Sequence, residues 1–426
     1  MDSIFVQLAV ILGLSSVLGL LTHKLKLQLL IDYLLGGLLI ATLTIFDTHT
    51  SKALSFLPEI GVAFVLFLVG MELDFREIKS LGLPILISGI LQVVVSTVVG
   101  TFVAQNFGFP FRESIYLGVG LSFSSTIVIV KLLLDKRDLT SLYGKLALGI
   151  TLLEDLLAVI ILLVLTATNS VLNLGYSEAF PLPAFLAKAV LLFGLVFLVH
   201  RFGLPALFKA VSKSGELLFL TALAWCFIYV SFAIALGFSV VVGAFLAGIA
   251  LASSPYHFQI QGKVKPLLDF FVTLFFVYLG TQVNFADLSE VYPIILFFTA
   301  YAVLIKPLLF LLILSVFGFR KHTSFQAAIS ISQISEFSLI IILVGMKAGI
   351  VSQAALTTIA LSGILSIIFS SLMISQSVKI YKKIIHDYHI GLIVHPESQT
   401  SLYRKSDIEK IKHLPSFQKN YLHQWG

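Results

Sequence analysis

Leu121-Ser122-Phe123-Ser124-Ser125-Thr126 returns 210 residues later as Ile331-Ser332-Gln333-Ile334-Ser335-Glu336, each segment lying in the middle of an apolar run. Lipid offers hydroxyl, amide and carboxyl groups no partners, so two such clusters at mid-run imply a shared polar cavity. The same offset lays Gly70-Met71-Glu72-Leu73-Asp74-Phe75-Arg76-Glu77-Ile78 over Gly280-Thr281-Gln282-Val283-Asn284-Phe285-Ala286-Asp287-Leu288. Apolar, Gly, Asp/Asn, Phe and acidic positions match. Two matches at one offset predict an internal repeat.

Outside these segments the chain is equally apolar. Of 426 residues, 58% are hydrophobic and 12% charged, which excludes a soluble domain of this size. Thirteen continuous apolar runs, without the period-2 alternation of barrel strands, predict spanning helices near 4–22, 29–46, 56–73, 84–106, 114–134, 144–168, 182–210, 216–236, 238–252, 266–283, 291–318, 323–347 and 352–378. The expected fold is therefore an all-α polytopic membrane protein with one transmembrane domain, 1–378, and a short basic cytoplasmic tail, 379–426. Repeat-related spans are seven apart, an odd number, so spans 1–6 and 8–13 run oppositely through the bilayer as an inverted repeat, with span 7 as connector. In that plan the substrate sits at mid-membrane, where a discontinuous helix from each half exposes its backbone. Spans 5 and 12 are the candidates, with Ser125, Thr126, Gln333, Ser335 and Glu336 at their centres.

Charge sets the orientation. Odd-numbered loops and their flanks hold fifteen Lys and Arg against four in the even ones, which places the N-terminus outside and the C-terminus in the cytoplasm. The net charge of +6 thus reflects loop asymmetry, not a nucleic-acid surface. Cys226 is the single cysteine and the histidines are scattered, so no cofactor and no metal beyond a transported alkali cation are expected. Without a nucleophile and base in reach of each other, an enzyme is not expected.

Four charges stand within the spans. Glu154 and Asp155 lie midway along span 6, Glu336 midway along span 12, and Lys306 within span 11. Insertion of each charge at a helix centre costs about 2.5–3.5 kcal/mol, so they should meet in one polar cavity. Adjacent helical residues point about 100° apart, hence one of Glu154 and Asp155 should face the cation pathway and the other a fixed partner. Glu154, Asp155 and Glu336 are all candidates to pair with Lys306, Glu154 being favoured. The residual carboxylate can hold either a proton or an alkali ion, and that competition couples the two fluxes. Asp32, near the start of span 2, reads as interfacial.

Several motifs together resemble one family. Glu59-Ile60-Gly61-Val62 leading into Gly70-Met71-Glu72-Leu73-Asp74, Leu121 to Thr126, Val242-Gly243-Ala244-Phe245-Leu246-Ala247-Gly248, Gln333-Ile334-Ser335-Glu336-Phe337 and the acidic pair at 154–155 are similar to the monovalent cation:proton antiporter-2 family, most closely its Kef-type branch. The resemblance implies a sodium/proton-antiporter-like fold in two domains. Its core, helices 3–6 and 10–13, holds crossed, broken helices 5 and 12, and its scaffold, helices 1, 2, 7, 8 and 9, makes a homodimer. It also implies that Asp155 is the transport carboxylate and that Lys306 is a basic residue of the core. Glu154 departs from the Gln of many potassium-type members and the Asp of sodium-type ones. About 48 residues follow span 13, too few for the nucleotide-binding domain of many Kef-type members. The expected activity is exchange of K+ or Na+ for H+ in a bilayer, probed against two rivals, a cation channel and an organic-anion symporter on a related fold. The expected location is a bacterial inner membrane.

Overall fold

The computed structural model describes residues 4–24, 29–43, 57–72, 82–136, 138, 141–172, 182–252, 254–283 and 288–388. Every regular element among them is helical: α1 Ile4–Lys24, α2 Leu29–Thr42, α3 Leu57–Glu72, α4 Leu83–Asn106, α5 Phe111–Ser122, α6 Thr126–Asp135, α7 Leu142–Leu172, α8 Leu182–Leu198, α9 Leu204–Val211, α10 Gly215–Ala235, α11 Val240–Ala252, α12 His257–Thr281, α13 Leu288–Ala300, α14 Lys306–Val316, α15 Lys321–Ser330, α16 Glu336–Lys347, α17 Gln353–Ser375 and α18 Ser377–Tyr388. Eight stretches of the described residues are long and apolar enough to cross a membrane, and three shorter helices are also apolar. This is an integral membrane protein.

The structure refines the expected spans in physical terms. Spans 5 and 12 are each split, into α5 and α6 and into α15 and α16. Spans 7 and 11 each contain a π-helical turn, Val199–Gly203 and Tyr301–Ile305. Proline follows two residues later in both, at Pro205 and Pro307. Proline has no N–H to give and its ring crowds the carbonyl four residues back, so the ladder widens there and Lys306 N–H reaches back five residues to Tyr301 O. Span 10 begins earlier than Pro266, at His257, because Lys263, Lys265 and the proline all fall within the helix's first turns. A tail helix, α18, follows α17 where only a basic tail was expected. Asp32 lies in the first turn of α2 and is fully buried. The 73–78 and 284–287 parts of the first repeat match, and the tail beyond 388, lie outside the described residues.

The chain divides into two compact units. The first comprises Met1–Gly19, Asp32–Asp74 and Val159–Thr281. Its helices approach backbone to backbone at glycines. A Cβ added to Gly37 of α2 would fall 2.0 Å from Val277 O, and one on Gly280 of α12 would fall 2.3 Å from Leu34 O. The same contact recurs between α3 and α11, where a Cβ on Gly70 would meet Phe245 O at 2.4 Å and one on Gly248 would meet Phe67 O at 2.2 Å. Shifting α3 by 210 residues superimposes it on α12, so α11 packs on α3 as α2 packs on α12. Such close seams are the means by which helices associate in lipid, where dispersion replaces the hydrophobic effect. Polar tips within the unit are satisfied by carbonyls: Tyr229 OH donates to Leu192 O at 2.6 Å and Trp225 Nε1–H to Ala247 O at 3.0 Å.

The second unit comprises Leu20–Ile31, Phe75–Ala158 and Gln282–Gly426. Two hairpins in it are made alike, 210 residues apart. α4 ends with Gly108 N–H donating to Gln105 O and Phe109 N–H to Ala104 O, and α14 ends with Gly318 N–H donating to Ser315 O and Phe319 N–H to Leu314 O. Both glycines take positive φ, +92° and +78°, as this C-terminal cap requires. The next helices then start with Ser114 Oγ on Phe109 O and Ser324 Oγ on Phe319 O. Contact compactness puts α3 and α12 in the first unit, a different partition from the core of helices 3–6 and 10–13 that the resemblance implies.

Candidate functional site

Serines mark both breaks. Ser122 Oγ donates back to Val119 O at 2.7 Å at the last residue of α5, and Phe123 turns extended. Ser125 then caps the new helix by accepting Val128 N–H. In the second segment Ser330 Oγ bonds to Gln326 O at 2.8 Å, α15 ends, and Ser335 caps α16 by accepting Phe337 N–H at 3.2 Å. Serine at an N-cap satisfies one of the orphan amides of a helix start.

The two breaks are bonded to each other. Ser335 N–H donates to Phe123 O at 3.1 Å. Gln333 Nε2 donates to Ser125 O at 3.3 Å, and Ser124 Oγ to Ile331 O at 3.2 Å. Ser338 Oγ donates to Gly120 O at 2.5 Å. All of these groups are buried. Four half-helices thus end in one small region, α6 and α16 pointing their positive N-terminal ends into it and α5 and α15 their negative C-terminal ends.

The ionisable side chains occupy distinct niches around this region. Glu154 is fully buried, and its Oε2 accepts Ser124 N–H at 2.7 Å. Its Oε1 has no hydrogen-bond partner among the described residues. Asp155, the next residue, is half-buried, and its Oδ2 accepts the Thr126 hydroxyl at 2.7 Å, at the first residue of α6. Lys306 is fully buried and donates to the backbone, to Gln333 O at 3.4 Å, and not to Glu154, the partner favoured from sequence. Glu336 opens α16 with Ser335 Oγ 3.5 Å from its Oε2.

The residues singled out from sequence therefore gather at one place. Ser125, Thr126, Glu154, Asp155, Lys306, Gln333, Ser335 and Glu336 all belong to the second unit and line the paired breaks or their immediate partners. Sequence reading passed over four others: Gln92, Ser96, Tyr301 and Ser366. Gln92 Nε2 donates to Ser122 O at 3.0 Å, and Ser366 Oγ accepts Ile334 N–H at 3.1 Å. The signal was available at Gln92, an amide alone in the apolar stretch Leu86 to Val95. Ser366 is one of five serines in α17 and carries no such mark.

Chemically, the arrangement offers hydroxyl and carbonyl oxygens and two partly exposed carboxylates, Asp155 and Glu336, each beside a helix N-terminus. Known proteins share both the sequence and this architecture. KefB of Alkalimonas amylolytica, named as a K(+) efflux antiporter, is 27% identical over 373 residues, covering 86% of this chain and 56% of KefB, so the chain spans just over half of that relative's length. The Na(+)/H(+) antiporter of Enterococcus hirae is 24% identical over 375 residues, covering 87% of this chain and 97% of the relative. Among solved structures, the sodium proton antiporter MjNhaP1 from Methanocaldococcus jannaschii matches with a TM-score of 0.58 at 14% identity, over 90% of this chain and 99% of that one. The first two speak to ancestry and the third to fold. With the family model for the transmembrane sodium/hydrogen exchanger matching residues 10–379, nearly the whole described membrane region, the chain belongs to the sodium/hydrogen exchanger family.

Proposed function

We propose that this protein is a secondary antiporter that exchanges K+ or Na+ for H+ by alternating access, with Asp155 binding cation and proton in competition. One observation carries the reading: the two adjacent acids have separate duties. Glu154 is fully buried and committed to a backbone amide, while Asp155 keeps partial exposure and a hydroxyl partner at the start of α6. A carboxylate is acceptor-only when ionised and becomes a donor when protonated. Thr126 O–H donates to the ionised form, and the same oxygens can take up an alkali ion once it is partly dehydrated. Proton and cation cannot both occupy them, so each turnover exchanges one for the other.

In this reading the fold has thirteen spans as an inverted repeat, with the broken spans 5 and 12 crossing at the site. The core of helices 3–6 and 10–13 moves against a scaffold of helices 1, 2, 7, 8 and 9 that forms a homodimer, and the N-terminus lies outside a bacterial inner membrane. The recurrence of the glycine seams and the hairpin caps at one offset supports the repeat. Ser125, Thr126, Gln333, Ser335 and Glu336 supply the oxygens and amide around the cation, and Glu154 with Lys306 balances charge beside it.

The test is a proteoliposome assay in which an imposed pH gradient is followed while Na+, K+ or Li+ is added in turn. Wild-type protein should dissipate the gradient on addition of at least one cation, and Asp155→Asn should abolish that response. Exchange at near wild-type rate in a folded Asp155→Asn protein would refute the assignment.

A further inference from the structure

Breaking a helix in the membrane frees amides and carbonyls that lipid cannot satisfy. Each break here is served from both sides by flanking helices, and the service follows one plan. In the first half, Gln92 of α4, the helix before the break, donates to Ser122 O at 3.0 Å. Glu154 of α7, the helix after it, accepts Ser124 N–H at 2.7 Å. In the second half, Lys306 of α14, before the break, donates to Gln333 O at 3.4 Å, and Ser366 of α17, after it, accepts Ile334 N–H at 3.1 Å. Ser124 and Ile334 are equivalent at the 210-residue offset. Lys306 is equivalent to Ser96, one turn from Gln92 and bonded to it at 3.3 Å. Tyr301 OH donates to that same Ser96 Oγ at 3.1 Å, so the preceding helices of both halves are pinned at this level.

What differs is where the charge sits. The first half uses a neutral donor and an anionic acceptor, the second a cationic donor and a neutral acceptor. The positive group donates in one half and the negative group accepts in the other, so their jobs are complementary and their charges opposite in sign. Gln92, Ser96, Tyr301 and Ser366 are all buried, and Gln92 Oε1 has no hydrogen-bond partner among the described residues.

We propose that Gln92 and Ser366 are positioning residues of the cation site, the neutral counterparts of Lys306 and Glu154, which hold the two breaks in register so that Thr126 and the backbone oxygens face Asp155. Neutrality at these two positions is required, because a charge at either would add to those of Asp155 and Glu336, which the transported ion answers. The inference rests on the antiport reading above. It makes Glu154 a backbone-holding group whose charge is balanced by Lys306, not a second ligand of the ion.

The experiment uses the full chain in proteoliposomes, titrating K+ and Na+ at several pH values, with amide hydrogen exchange of the purified protein in detergent as a second readout. Gln92→Leu, of similar volume but without the donor, and Ser366→Ala should each raise the apparent cation KM about three- to tenfold, the effect of one lost hydrogen bond, with maximal rate largely kept. Ser366→Ala should also speed exchange of the Ile334 amide. Gln92→Lys retains a donor but adds a charge, so it should raise KM further and move the pH of half-maximal activity to the acid side, since a nearby cation favours the ionised carboxylate. A purely structural role would lower yield and melting temperature and leave KM and the pH profile where they were, and that result in either Gln92 variant overturns the proposal. If both Gln92 variants fail to fold, Ser366→Ala, which deletes one oxygen, decides: unchanged KM overturns it. Absence of any cation-driven proton movement in wild type refutes antiport instead, and faster Ile334 exchange in Ser366→Ala then still reports whether the break is held as described.

Discussion

The two compact units bury their backbones by opposite means. In the first, helices stay whole and touch at glycines, with Gly37 against Gly280 and Gly70 against Gly248 leaving no room for a Cβ. In the second, close glycines occur too, at Gly100 and Gly118, but the decisive contacts are hydrogen bonds in which glutamine and lysine donate to, and glutamate and serine accept from, the freed backbone of two broken helices. Dispersion needs only small residues and tolerates no intrusion. Hydrogen bonding needs particular atoms at about 2.7–3.2 Å, and a missing partner leaves a buried polar group unsatisfied. The first arrangement suits a rigid body and the second a site whose groups exchange partners with a bound ion.

The largest effect expected from this contrast is steric. Gly248→Val should lose more than about 3 kcal/mol, the upper range for overpacking, because the clash is with backbone at Phe67 O, and little monodisperse protein should survive extraction. Gly194, with no atom within 4 Å of its would-be Cβ, is the control within the same unit: Gly194→Ala should match or exceed wild-type stability by helix propensity. If both variants unfold alike, close packing is not what distinguishes the first unit.

Next in size is charge. Lys306→Gln removes the buried cation but keeps a donor for Gln333 O, so it should cost less than the roughly 3–5 kcal/mol of a directly broken buried pair, and combining it with Glu154→Gln tests whether the two charges offset each other without touching. Thermal unfolding of the four proteins in detergent forms a double-mutant cycle, and strictly additive losses would separate the two residues. Smaller again are the caps. Ser125→Ala and Ser335→Ala should each lose about 1 kcal/mol, and near-equal values would sharpen the equivalence of the two breaks.

The smallest change in stability belongs to the residue with the largest effect on transport. Asp155→Asn keeps an oxygen for the Thr126 hydroxyl and should shift stability by less than about 1 kcal/mol while stopping exchange. A large loss of stability there would mean that Asp155 holds the fold together, and the division of duties with Glu154 would fall.

Much of this could be read from the chain. Hydrophobic runs located the helices because lipid admits little else, and an offset of 210 residues brought Leu121–Thr126 onto Ile331–Glu336 before any coordinates. The charged residues announced themselves for the same reason: a carboxylate in an apolar run needs an explanation. Gln92 and Ser366 did not, since one amide or hydroxyl in a span costs far less than a charge and serines often bond to their own helix. Split helices were expected at spans 5 and 12, but the places where the second halves begin are marked by which serine caps, Ser125 in one and Ser335 in the other.

Composition and order along the chain alone determine that it is helical, embedded and internally repeated, because those properties follow from local hydropathy and from residue identity at fixed separation. Only the tertiary structure decides which acid does what. Glu154 and Asp155 are neighbours of like chemistry in one helix, and what divides them is that Ser124 N–H meets the first and the Thr126 hydroxyl the second. Those partners lie about 30 residues away in sequence, across a hairpin, and Ser366 and Ile334 are as far apart. Hydrogen bonds are short and directional, so their assignment depends on how helices are rotated against one another, which no one-dimensional pattern records.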